Sequence, residues 1–237
     1  TGAAQVGSLS LSPEDEAEQL AQLAWADNLR NPLVIAPDTA WGARMHTAFA
    51  DTWRTFGGTI REVALTGSEK TDNETIAQGL ATLSSESRIK EVERAFDAPI
   101  ESQSRRREDV DVVILLSPTP QSARELRPLL RFHYAGGLPV FAPASIFEAN
   151  KGIANRDLDG IKFVLPPSTL SPATSATEML HALGADAAAF VDRFNQADSA
   201  NGIILFGQSG DLSTDSQGNV HRRLKPVVFN RGRARPI

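Results

Sequence analysis

Short unbroken apolar runs alternate along this chain with longer segments whose apolar residues recur every three or four positions. The segment from Pro13 to about Asn28 shows the second pattern, with Ala17, Leu20, Ala21 and Ala24 on one helical face. Ser12-Pro13-Glu14-Asp15 reads as its start: a serine cap, proline at the first helical position, and acids facing the positive end of the helix dipole. Leu33-Val34-Ile35-Ala36 is wholly apolar and bounded by prolines, as expected of a strand buried on both faces of a parallel sheet. A helix capped by Asp38 or Thr39 follows, with Met45, Ala48, Phe49, Trp53 and Phe56 as its stripe and Gly57-Gly58 as its stop. Thr59 to Leu65 reads as the second strand.

Residues 74–97 read as one helix, with Ile76, Leu80 and Leu83 on one side and Ile89, Val92 and Phe96 on the next. Residues 97–108 are polar, basic and broken by Pro99, which predicts a surface loop. Val110 to Leu116 is a third strand. Ser117-Pro118-Thr119-Pro120 opens a helix reaching about Tyr134, with Ala123, Leu126, Leu130 and His133 inward, and Leu138 to Ala142 follows Gly136-Gly137 as a fourth strand. This repeated alternation predicts an α/β fold with a doubly wound, mainly parallel sheet and right-handed crossovers. After Gly160 the order changes: Ile161 to Leu165 is extended, Pro166-Pro167 breaks it, and alanine-rich helix occupies about 174–197. Gly202 to Phe206 and Val220 to Phe229 read as strands around Asp215-Ser216-Gln217-Gly218-Asn219, where Gly-Asn supplies positive φ.

The composition changes this picture little. At 237 residues, with 41% hydrophobic and 22% charged side chains, the chain suits one large or two small globular domains. A net charge of −5 offers no general attraction for nucleic acid. Arg105-Arg106-Arg107 and the basic run from His221 to Arg235 read as solvated surface, the second kept as a contact surface for a partner. The lack of cysteine excludes disulfides, zinc–thiolate sites and cysteine nucleophiles. No stretch approaches the roughly 20 apolar residues of a membrane span, and Thr1-Gly2-Ala3-Ala4 carries no signal peptide. Any export signal or lipid anchor is therefore expected outside this chain.

The search for chemistry excludes more than it finds. His46, His133, His181 and His221 have no metal-ligand spacing, so neither a metal nor a cofactor is expected. Ser209 in Gly207-Gln208-Ser209-Gly210, with Asp211 and His221 beyond, suggests a serine hydrolase, but a nucleophile elbow lies between a strand and a helix, and here the serine enters a hairpin. The acids Glu14-Asp15-Glu16 are explained by the helix dipole. No phosphate-cradling glycine motif occurs, and no catalytic residue is assigned. What remains is the set of loops at the carboxyl ends of the parallel strands, where open α/β sheets bind: Asp38, Thr39, Ala40 and Trp41, then Ser117 and Thr119, then Ser145. Trp41 suits either stacking on a ligand or lying as a hydrophobic lid over the sheet edge.

The order of segments resembles the type I periplasmic binding proteins. More specifically, Ser12-Pro13-Glu14-Asp15-Glu16-Ala17-Glu18, Leu33-Val34-Ile35-Ala36-Pro37 with Trp41-Gly42, Arg127-Pro128-Leu129-Leu130, Leu138-Pro139-Val140, Asp157-Leu158-Asp159-Gly160-Ile161, Ala182-Leu183-Gly184-Ala185-Asp186-Ala187 and His221-Arg222 together resemble the C-terminal domain of the LppC/LpoA lipoproteins, activators of penicillin-binding proteins. The resemblance implies a two-lobed domain. Residues 10–163 and 201–229 would form the second lobe, nearly complete, and 164–200 a helical part of the first, with 1–9 and 230–237 as tails. It also implies an outer-membrane lipoprotein facing the periplasm, whose non-enzymatic role is to bind and stimulate a class A penicillin-binding protein. The seven loop residues above would then line an interlobe cleft. A short Pro/Ser/Thr-rich stretch at 166–177 departs from the pattern. The alternative is a solute-binding protein for an amino acid, peptide or sugar.

Overall fold

The computed structural model describes residues 12–65, 67, 69–96, 104–149, 151–170, 176–196, 202–215 and 219–237. Residues 97–103 of the loop expected at 97–108, part of the stretch at 166–177, the tail 1–9 and the turn residue Gly218 lie outside them.

Helix α1 (Pro13–Ala26) buries Ala17, Leu20, Ala21 and Ala24 completely, as its stripe predicts. Ser12 does not cap it. Its hydroxyl donates to the Glu14 carboxylate at 2.5 Å, and its oxygen accepts from no helix amide. Strands β1 (Pro32–Pro37), β2 (Arg61–Leu65), β3 (Val112–Leu115), β4 (Val140–Ala142) and β5 (Lys162–Leu165) pair in parallel in the order β5-β4-β3-β1-β2. Alternation splits their side chains between two cores. Leu33, Ile35, Val113 and Leu115 face one, with α3 (Glu69–Gly79) and α5 (Pro120–Phe132). Val34, Val112 and Ile114 face the other, with α1 and α2 (Ala40–Thr55). Helices on both faces explain why these strands read as unbroken apolar runs. In the second core Trp53 stacks on Phe49 and meets Trp25 edge-on at 5.1 Å.

The expected helix over 74–97 is two helices. α3 ends at Gly79, Ala81 takes a left-handed φ of 57°, and α4 spans Thr82–Phe96. Gly79 lies so close to β2 that a Cβ there would be 2.4 Å from Val63 Cγ2, so the chain passes tightly over the sheet and then turns away. Beyond the turn α4 leaves the core: Val92 and Phe96, on the expected second apolar side, are 42% and 74% exposed. His133 does point inward, and its ring nitrogens meet Thr82 Oγ1 at 3.1 Å and Asn73 Oδ1 at 2.8 Å, tying α5 to α3 and α4.

The described residues of 201–229 divide between two sheets. β6 (Ile204–Phe206), β7 (Asp211–Thr214) and β8 (Val220–Arg223) form an antiparallel three-stranded sheet, whose small core joins Ile203 and Leu212 to Phe190 of α6 (Ala176–Gln196). At Leu224 the chain crosses to β9 (Lys225–Asn230), which runs antiparallel to β5. The buried Gln19 of α1 serves this crossing with both ends of its amide, donating to Leu224 O at 2.6 Å and accepting from Leu224 N at 2.9 Å. The segment 230–237 is not a tail. Arg231 and Gly232 both have positive φ, making a tight turn into β10 (Arg233–Pro236), and Asp159 accepts both of their amides at 3.0 and 2.8 Å. The main sheet thus has seven strands, β10-β9-β5-β4-β3-β1-β2. No helix among the described residues is long and apolar enough to cross a membrane.

Candidate functional site

The loops singled out from sequence lie at the carboxyl ends of β1, β3 and β4, and their hydroxyls are already engaged. Thr39 Oγ1 caps α2 by accepting from Gly42 N at 3.1 Å, and Thr119 Oγ1 caps α5 by accepting from Ser122 N at 3.2 Å. Ser117 donates to Thr119 O at 2.9 Å and Ser145 to Ser117 O at 2.6 Å, stitching the loop after β3 to the loop after β4. Asp38 is exposed and, with Thr39, lines a depression of about 190 Å³ beside Pro37, His46 and Val63. Ala40 begins α2 on the surface. Trp41 does not line that depression; it is half-buried and packs against the α1–α2 core.

A second, more polar constellation escaped the sequence reading. The first-turn acids of α1 face the β8–β9 crossing. Asp15 Oδ2 accepts from Arg222 N at 3.2 Å, and Asp15 Oδ1 lies 3.5 Å from His221 Nδ1. His221 Nε2 lies 3.3 Å from Asp215 Oδ2. Glu16 accepts from Ala144 N at 2.8 Å, in the loop after β4, and faces the Arg222 guanidinium at 3.8 Å. Burial pushes the Glu16 carboxyl up to about 7 against those two favourable contacts. Burial likewise raises Asp15 and lowers Arg222, while Glu18 is raised by burial and by the neighbouring Asp15 charge. For His221, burial lowers the pKa, but the hydrogen bond to Asp215 and the charge of Asp15 outweigh it, and the net direction is upward. A depression of about 340 Å³ opens over Asp15, Glu18, His221 and Arg222. The helix dipole accounts for these acids only locally. The partners of Asp15 and Glu16 lie 128 to 207 positions away, and no spacing rule could have joined them.

Ser209 is buried in the β6–β7 turn. Asp186 Oδ2 accepts both its hydroxyl and its amide at 2.6 Å, and Asp186 Oδ1 accepts from Gln208 N at 3.0 Å. With His221 held between Asp15 and Asp215, no Ser–His pair forms there. The Asp186 carboxylate shapes the turn.

A doubly wound sheet with a smaller sheet beside it defines a periplasmic-binding-protein-like α/β domain. A solved "putative branched-chain amino acid ABC transporter" from Chromobacterium violaceum has this fold, with a TM-score of 0.68 and 25% identity over 97% of this chain and 69% of its own. The LpoA (YraM) C-domain from Haemophilus influenzae, described as a regulator of PBP1A, aligns over all of this chain and 70% of its own, with a TM-score of 0.74 and 22% identity. Within that class, this chain belongs to the family described as "LppC putative lipoprotein", whose model matches residues 1–232. The penicillin-binding protein activator LpoA of Photobacterium profundum is 30% identical over 239 residues, covering 93% of this chain. The chain spans 38% of that relative's length.

Proposed function

We propose that this chain is the C-terminal domain of an envelope lipoprotein that binds and stimulates a class A penicillin-binding protein from the periplasmic face of the outer membrane, without catalysing a reaction itself. The observation that carries this reading is the family membership across nearly the whole chain, together with a relative named as a penicillin-binding protein activator. The engaged hydroxyls of Thr39, Ser117, Thr119 and Ser145 favour it over a solute-binding role, because few polar groups remain to fix the ends of an amino acid or sugar. In the two-lobed arrangement we assign the seven-stranded body, residues 12–165 with 225–236, to the second lobe. Residues 176–223 then form part of the first.

The test is a thermophoresis titration of the full-length protein against a purified class A penicillin-binding protein, with synthase activity followed in parallel. Saturable binding with a rise in glycan-chain or cross-link formation is expected. Absence of both sinks the proposal. A thermal-shift screen against amino acids, peptides and sugars should stay flat, whereas a ligand at a hundredfold excess over its Kd would stabilise the domain by about 2.7 kcal/mol.

A further inference from the structure

We infer that Asp15, Glu18 and His221 form a binding site for a divalent transition-metal ion of the zinc type, bridging α1 on the large sheet to β8 of the small one. The two acids stand three residues apart on α1 and so share a face. His221 meets that face from β8, and one ligand atom from each of the three residues lies within 4.8 Å of the other two.

Asp15 and His221 meet in a long direct contact of 3.5 Å, a spacing that also suits two ligands of one ion. Two ligands of a tetrahedral zinc ion, at bond lengths of about 2.0–2.1 Å, are separated by roughly 3.3 Å. The surroundings match the outer shell of such sites. Asp215 faces the other ring nitrogen, Nε2, at 3.3 Å and orients the imidazole, which leaves Nδ1 turned toward the acids. Arg222 N fixes the second oxygen of Asp15 at 3.2 Å. The Arg222 guanidinium is turned toward Glu16. Glu18 makes no hydrogen bond or ion pair among the described residues, so its carboxylate is available as an acceptor. Three protein ligands leave a fourth coordination position facing the open 340 Å³ depression. An ion there would brace the two sheets beside the Leu224 crossing.

The site rests on the geometry of this chain alone, so its failure leaves the partner reading intact. The test is a calorimetric titration of the chelator-treated full-length protein with zinc chloride, paired with thermal unfolding. Saturable binding of one ion and a raised Tm are expected. Affinity should fall at least about tenfold in His221→Ala and in Glu18→Gln, and stay unchanged in the control His181→Ala. His221 is exposed and Glu18 only half-buried, so both variants should keep the wild-type circular dichroism. Magnesium should bind at least about tenfold more weakly than zinc, since imidazole favours the softer ion. Binding that is equal in the variants, equal for magnesium, or not saturable means an adventitious ion only and overturns the assignment.

Discussion

His133 shows how a single buried polar side chain is accommodated. It is 5% exposed, bonded to Thr82 and Asn73, and burial holds its pKa below the ordinary histidine value. The folded state therefore resists protonation more than the unfolded chain does. The resulting stability is complete above the unfolded pKa of about 6.5 and is lost as pH falls below it. Because the raised Glu16 and His221 pKa values act in the opposite direction over the same range, the check is comparative: between pH 8 and 5 the wild-type Tm should fall relative to that of His133→Gln from about pH 6.5 downward. Equal slopes for the two proteins would show that His133 titrates alike in both states. The inward position was legible from helical spacing on α5. Its partners on α3 and α4 were not, because the break at Ala81 that swings Thr82 into reach has no marker in the apolar pattern.

Among the elements, the β8–β9 crossing carries the largest departure from expectation. Val220 to Phe229 reads as one strand, and nothing local says that it changes sheet at Leu224. Gln19 supplies the donor and the acceptor that a ladder would otherwise give that residue. Gln19→Leu removes both and leaves two buried backbone groups unpaired, at a cost of about 2 kcal/mol or more. Gln19→Glu keeps the acceptor and should fall between the leucine variant and the wild type. Urea unfolding midpoints check the order, and an unchanged midpoint for Gln19→Leu would mean that water replaces the amide. The short strands β7 and β10 were missed for a related reason. Asp-Leu-Ser-Thr and Arg-Ala-Arg-Pro have too little apolar surface to announce a strand, and they are held by hairpin pairing and, for β10, by the Asp159 carboxylate under its turn.

For the molecule as a whole, the two sheets differ in how much they bury. The seven-stranded sheet has an apolar core on each face, whereas the three-stranded sheet meets α6 in a small cluster of Phe190, Ile203 and Leu212. Local stability should follow that difference. In native-state hydrogen exchange, amides of β1, β3 and β4 should be the most protected, and those of β7 and β8 should exchange roughly tenfold faster or more. Uniform protection would show that both sheets open together, coupled through α1 and the Gln19 crossing.

The sequence by itself determined the central architecture, because a strand covered on both faces must be apolar at every position and a helix lying on it must be apolar at every third or fourth. It also placed the loops at the strand ends, since those follow from chain order in a parallel sheet. Only the tertiary structure decided what the polar residues do. Asp15 and Arg222, Gln19 and Leu224, and Ser209 and Asp186 meet across long stretches of chain, and hydrogen bonding between such groups has no periodicity to read. Their pairing exists only once the helices and sheets have packed.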